Sequence, residues 1–258
     1  MSITMKNVKA ISHNNKTVKK IEDTNGNILW GSYDAFPYRK LEYIKFSGAE
    51  YILTDYIPSA STAVGIKAKL QSKGDSTWNR LFGAYDGNLA NAARRYYFHG
   101  NTDDTYPAYC FGSTWQNTTL SNYLNRTLWY TVGNNTAMKT FWIAIKDETN
   151  TTAYFYKQLD LGTALTGYNV PLSISSNWSN GNVIDTTAYM KGDVYSFQTK
   201  TGTWSAGTVA HDYVPCQRKL DDVCGMYDTI TSTFHPMVGT NITSTAAGPV
   251  VDEYWDLS

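Results

Sequence analysis

The chain has 258 residues with 22 basic and 22 acidic side chains, so it carries no basic field of the kind that drives sequence-independent phosphate binding, which argues against a general nucleic-acid binder. No apolar run approaches the ~20 residues of a membrane helix. Only 17% of residues are charged, and Tyr, Trp, Asn, Ser and Thr stand in their place, a composition of strands and long turns rather than helices.

In chain order, Met1-Ser2-Ile3-Thr4-Met5-Lys6 offers no apolar stretch of the export type, which reads as a protein made in a cytosol that stays soluble or leaves within an assembled particle. Val8-Lys9-Ala10-Ile11, Val18-Lys19-Lys20-Ile21 and Ile28-Leu29-Trp30 are three strand candidates. Asn14-Asn15 turns the chain between the first two, and Asn25-Gly26, which suits a type I′ turn, precedes the third. So small a meander is marginal alone and needs a partner, either an assembly or the main domain. Residues 1–33 are read as an attachment or oligomerisation segment, residues 34–258 as the main domain, and Gly31 to Pro37 as the linker.

Beyond the linker, short alternating runs recur at residues 64–70, 80–85, 95–99, 128–132, 140–145, 153–157, 170–175, 188–190 and 194–199. Short helical turns are expected only near 38–43 and 88–93. Many short strands divided by turn signals predict an antiparallel sandwich. Phe141, Trp129 and Trp142 are read as core, and Tyr96-Tyr97-Phe98 as a strand using both faces. Cys110, Cys216 and Cys224 leave an odd thiol however they pair; Cys216 and Cys224 flank a turn, but free buried thiols are the reading adopted. The sequons at Asn117, Asn125, Asn134, Asn150, Asn177 and Asn241 are taken as by-products of an Asn- and Thr-rich composition.

Two stretches carry a family likeness. Leu41-Glu42-Tyr43-Ile44 runs through Gly48-Ala49-Glu50-Tyr51-Ile52 to Asp55-Tyr56-Ile57-Pro58; far downstream stand Asp212-Tyr213-Val214-Pro215-Cys216, Gly225-Met226-Tyr227-Asp228 and Ala247-Gly248-Pro249. Together they resemble the concanavalin A-like (laminin-G-like) jelly-roll module of phage tail, fibre and other virion surface proteins, also found in some bacterial surface proteins. The resemblance implies an all-β fold, a two-sheet antiparallel jelly-roll sandwich preceded by the small N-terminal β-meander, with the two signatures side by side. It also implies a virion protein displaying a lectin-type domain to host-surface carbohydrate, attached to other virion proteins through its first residues and assembled as a homotrimer. A polysaccharide-degrading enzyme on the same fold and a bacterial surface adhesion module are the rival readings.

Glycosidases of this fold use paired carboxylates on one strand. The five glutamates, Glu22, Glu42, Glu50, Glu148 and Glu253, form no such motif, so no catalytic residue is assigned. His13, His99, His211 and His235 are scattered without zinc-type spacing. Asn101-Thr102-Asp103-Asp104 and Asp86-Gly87-Asn88 carry hard oxygen donors suited to calcium and are equally ordinary turn formers; the turn reading is adopted, with no metal or cofactor. Sugar rings stack on aromatic faces while amides and carboxylates meet their hydroxyls. Trp78, Tyr85, Asp86, Trp115, Asn117 and Trp178 are therefore the ligand-binding candidates, the alternative being rings that cap the sandwich or meet a neighbouring subunit.

Overall fold

The computed structural model describes residues 37–72, 78–85, 95–100, 106–165, 170–176, 178–179, 182–183, 189–252 and 255, together with four short strands within residues 11–31. The leader strands form two hairpins: Ile11–His13 pairs with Lys16–Val18, and Lys20–Glu22 with Ile28–Gly31. Among the described residues of this segment there are four strands in two hairpins; Val8-Lys9-Ala10 of the first expected strand and the Asn14-Asn15 and Asn25-Gly26 turns lie outside the described residues.

The main domain is two antiparallel layers. The first runs, in ladder order, Ala153–Asp160, Thr140–Lys146, Thr127–Asn134, Thr62–Leu70, Lys191–Thr201, Thr208–Arg218, Cys224–Asp228 and Thr233–Val238. Ile44–Ser47 pairs with the start of Lys191–Thr201 and Tyr38–Leu41 with the end of Thr208–Arg218. The second layer runs Thr114–Asn117, Pro107–Phe111, Arg95–Gly100, Asn79–Tyr85, Ser173–Ile174 and Tyr51–Leu53. Strand Thr233–Val238 belongs to both, because its Met237 and Val238 also pair with Ile52 and Tyr51.

Period-2 alternation decides what fills the space between the layers. Val64, Ile66, Ala68, Tyr130, Val132, Phe141, Ile143, Ile145 and Phe197 of the first layer point inward, against Phe82, Tyr96, Phe98, Tyr109 and Phe111 of the second. Their rings meet at 4.6 Å (Phe111 with Phe141), 5.5 Å (Phe98 with Tyr130) and 6.0 Å (Phe82 with Phe197). Each such pair adds about 0.5–1.5 kcal/mol beyond the area it buries.

The same alternation overturns two assignments. With Leu128, Tyr130 and Val132 inward, Trp129 faces out; with Phe141, Ile143 and Ile145 inward, so does Trp142, and both indoles are half-buried on the outer face. Residues 38–41 are strand rather than helical turn, because Tyr38, Arg39 and Lys40 are held by Arg218, Gln217 and Cys216.

The two family signatures lie together. The Glu42 N–H donates to the Pro249 carbonyl at 2.9 Å, the Gly248 N–H to Tyr43 at 3.1 Å, and Ile44 bridges Ala247. Glu50 anchors this corner while fully buried. Its carboxylate accepts from Ser47 N (2.7 Å), Ser47 Oγ (2.8 Å), Asn241 N (3.2 Å) and Asn241 Nδ2 (3.2 Å). All three cysteines are buried free thiols.

Candidate functional site

Three of the sequence-derived candidates, Trp78, Trp115 and Asn117, fall on the outer face of the second layer. Trp78, just ahead of Asn79–Tyr85, meets Trp115 edge-on at 5.1 Å, and the Trp115 indole N–H donates to Asn117 Oδ1 at 3.2 Å. His99 lies under both rings, 4.4 Å from Trp78 and 4.5 Å from Trp115, and the Arg80 guanidinium lies 4.0 Å over Tyr97 beside it. His99 is fully buried; burial, then the charge of Arg80, hold its imidazole well below the usual range and hence neutral. Trp78, Trp115 and Asn117 therefore form one cluster, with Trp115 at its rim, 37% exposed. Tyr85 ends its strand, and the backbone of Trp178 pairs in parallel with neighbouring Ala84. The side chains of Tyr85 and Trp178, all of Asp86, and the 86–88 and 101–104 turns lie outside the described residues.

A deeper site opens on the outer face of the first layer. It is a cleft of about 550 Å³, within the range of small-molecule sites. Its floor is made of small side chains, for a reason of register. Thr131, Ala144 and Tyr156 stand opposite one another across three strands, and Gly133 stands opposite Trp142 in the next row. Thr131, Gly133 and Ala144 leave a trough, flanked by Trp142 and Lys146 and closed at the edge strand by Tyr156, which is 62% exposed.

The remaining wall is Trp204, carried on the tight 202–207 loop. Gly202 there holds φ +97°, and the Gly207 N–H donates to the Thr203 carbonyl at 2.7 Å. The Trp204 indole N–H donates to Asn150 Oδ1 at 3.2 Å. Lys200 sits 4.6 Å over the ring and donates to the Trp204 carbonyl at 2.9 Å, and Trp129 packs alongside at 5.4 Å. The ring rests directly on Gly65, where any β-carbon would run into it. Asn150 is presented by a turn that Asp147 caps by accepting from Thr151 N at 2.7 Å and Thr152 N at 3.1 Å. Slight desolvation acts against ionisation there, but these bonds outweigh it and hold the Asp147 carboxyl at about 2.

Valine at Gly65 tests this account. Strand propensity alone favours Val by up to ~1 kcal/mol, but overpacking against the indole costs about 1–3 kcal/mol. The Gly65→Val protein should therefore be less stable to urea than wild type and show red-shifted tryptophan emission as Trp204 is lifted.

None of Trp142, Tyr156 and Trp204 is among the sequence candidates. Alternation within residues 140–146 was the available signal for Trp142; Trp204 sits in a loop that no pattern ties to the sheet.

No family model and no curated protein matches the chain. Solved structures do. A proposed carbohydrate-binding protein from Bacteroides ovatus ATCC 8483 superposes with a TM-score of 0.51 at 12% identity, covering 82% of this chain and 62% of that one. The heptameric SAP-like pentraxin of Limulus polyphemus is similar at TM-score 0.44 and 10% identity over 64% and 77% of the two chains. Tailspike protein 2 of Escherichia coli O157:H7 bacteriophage CAB120 is similar at TM-score 0.43 and 8% identity over 66% and 26%. The two antiparallel layers and the Bacteroides likeness define the class: an all-β, concanavalin A-like jelly-roll sandwich. At 12% identity the likeness defines the fold alone.

Proposed function

We propose that the protein is a glycan-binding module that holds an acidic saccharide in the Trp142–Tyr156–Trp204 cleft. The observation that carries this reading is the wall chemistry. Three aromatic rings surround a floor of small residues, Asn135, Ser61, Thr136 and Ser205 supply polar groups to the lining, and the described lining holds one cation, Lys146, and no carboxylate. Aromatic faces take the apolar side of a sugar ring, amides and hydroxyls meet its hydroxyl groups, and a lone ammonium selects a negatively charged one. Trp78, Trp115 and Asn117 on the other layer offer a second, shallower aromatic surface.

The test is a glycan array carrying neutral and uronic- or sialic-acid-containing polysaccharides, probed with the full chain. Retention of acidic glycans, weakened by Lys146→Gln, is the expected result. Binding that is blind to charge, or unaffected by changes at Trp142 and Tyr156, would overturn the assignment. The proposal is of binding without turnover, so new reducing ends released from the bound polysaccharide would replace it with the hydrolase reading.

The setting we propose is a virion surface, with residues 1–33 as the mounting on other virion proteins and a homotrimer as the assembled form. The paired signatures and the short leader strands support it. Mass spectrometry of purified particles checks the setting, and deletion of residues 1–33 should abolish incorporation while leaving a folded domain.

A further inference from the structure

Two histidines that look unrelated in sequence meet at the edge where the layers join. His211 lies in Thr208–Arg218 and His235 in Thr233–Val238, the strand shared by both sheets. Asp228 ends Cys224–Asp228, and Asp55 follows Tyr51–Leu53 of the second layer. The His211 Nδ1 and one carboxylate oxygen each from Asp55 and Asp228 all lie within 4.8 Å of one another. Asp55 Oδ1 is 4.0 Å from His211 Nδ1 and 3.7 Å from His235 Nε2.

The His235 ring decides what this cluster is for. Its Nδ1 lies 3.1 Å from the Leu53 carbonyl, which can only accept, so in the neutral ring the proton sits on Nδ1 and the lone pair on Nε2. That Nε2 is buried, on a side chain 9% exposed, and has no hydrogen-bond partner among the described residues. It faces a carboxylate oxygen. Two electron-rich atoms aimed at each other at 3.7 Å call for positive charge between them, which either a proton on Nε2 or a bound cation supplies.

We propose that Asp55, His211, Asp228 and His235 bind a divalent transition-metal ion of the zinc type. Two ligands held tetrahedrally on zinc at 2.0–2.1 Å stand roughly 3.4 Å apart; Asp55, His211 and Asp228 already lie within 4.8 Å of one another, and His235, 3.7 Å from Asp55 but outside that group of three, must swing in to complete the set. The 2.7 Å contact between His211 Nδ1 and Asp228 Oδ2 is a hydrogen bond in the metal-free state. On coordination the His211 proton shifts from Nδ1 to Nε2, and the ring moves off Asp228 toward the ion, with no net change in bound protons. Two imidazoles and two carboxylates balance a dication and suit zinc. The hard, oxygen-preferring calcium and magnesium ions are disfavoured by the two nitrogens.

Supporting hydrogen bonds are already in place. Tyr213 Oη donates to Asp55 Oδ1 at 2.8 Å, and Asp228 accepts from Asp212 N (3.1 Å), Ile230 N (3.1 Å) and Thr231 Oγ1 (2.6 Å). Burial works against ionisation of Asp228, but these donors and His211 outweigh it and hold its carboxyl below the ordinary range. The ion would join a residue of the second layer to residues of the first and act as a clip between sheets.

The experiment is calorimetric titration of the EDTA-treated, dialysed full chain with zinc chloride, alongside thermal melts in zinc, calcium and magnesium. One zinc per chain at micromolar affinity or tighter, with a rise in Tm that calcium and magnesium do not give, is expected. Asp55→Asn keeps an acceptor for Tyr213 at a half-exposed position and should fold normally, yet weaken zinc binding by 10-fold or more, as should His235→Gln. Absence of zinc binding, binding of equal strength in both variants, or an equal response to calcium would overturn the proposal.

Discussion

Replacing Trp142 with alanine should weaken binding of the acidic glycan by roughly 30-fold and leave the fold intact. A well-placed aromatic ring at a binding surface is commonly worth about 2 kcal/mol, and each 1.4 kcal/mol is tenfold in affinity. The indole lies on the outer face, so its removal leaves the core side chains of Phe141 and Ile143 in place. Truncation should therefore appear in the dissociation constant and hardly in the melting temperature. Tyr156→Ala, at a ring that is 62% exposed, should act in the same direction with less effect. A matched loss of stability and binding in Trp142→Ala would mean that the ring holds the sheet together and does not serve the ligand. Isothermal titration paired with a melt separates the two.

Glu50→Gln should destabilise the domain by about 3 kcal/mol, which for a domain of this size lowers Tm by roughly 6–12 °C. The amide keeps the shape but turns an NH2 group toward donors that the carboxylate now satisfies, Ser47 N and Asn241 N among them. Burial by itself would raise the Glu50 pKa; the hydrogen bonds from Ser47, Ala49 and Asn241 outweigh it and hold the carboxyl below its ordinary value. The sign of the pH dependence follows. A carboxyl whose folded pKa is depressed contributes stability that is complete above the unfolded value of about 4.3 and is lost as pH falls through the folded one. Wild type should thus lose stability on acidification below about pH 4.5 more steeply than Glu50→Gln, with urea midpoints at pH 7, 5 and 3.5 as the measurement. Parallel curves for the two proteins would assign the acid sensitivity elsewhere.

The sequence made the architecture readable because its strongest signals are local. Alternation within residues 64–70 and 128–132 marks strands with one buried face, and the 41–44 and 247–249 stretches meet as their family likeness implies. Trp78, Trp115 and Asn117, each marked in sequence by an indole beside polar groups, lie together in the fold. The deeper cleft is not written locally in the chain, for two reasons. Trp142 reads as one more hydrophobe in an apolar run, yet its parity in the strand decides its face, and a one-residue change of parity moves a side chain to the opposite face. Trp204 joins the cleft only because Gly65, far away in the chain, leaves room beneath it. His211, His235, Asp55 and Asp228 are brought together by the order in which strands cross between layers, and spacing along the chain does not encode that order.

The pairing of early strands with late ones also sets the timing of maturation. Lys40 waits for Cys216, Tyr51 for Val238 and Leu41 for Val250. A ribosome adding about 5–20 residues per second needs on the order of 10–40 s to deliver the Gln217 partner of Arg39, 178 positions later. Until then the first strands trail as open edges, so closure is a late event of high contact order and slow kinetics. Cooler, slower expression should raise the yield of correctly closed chains.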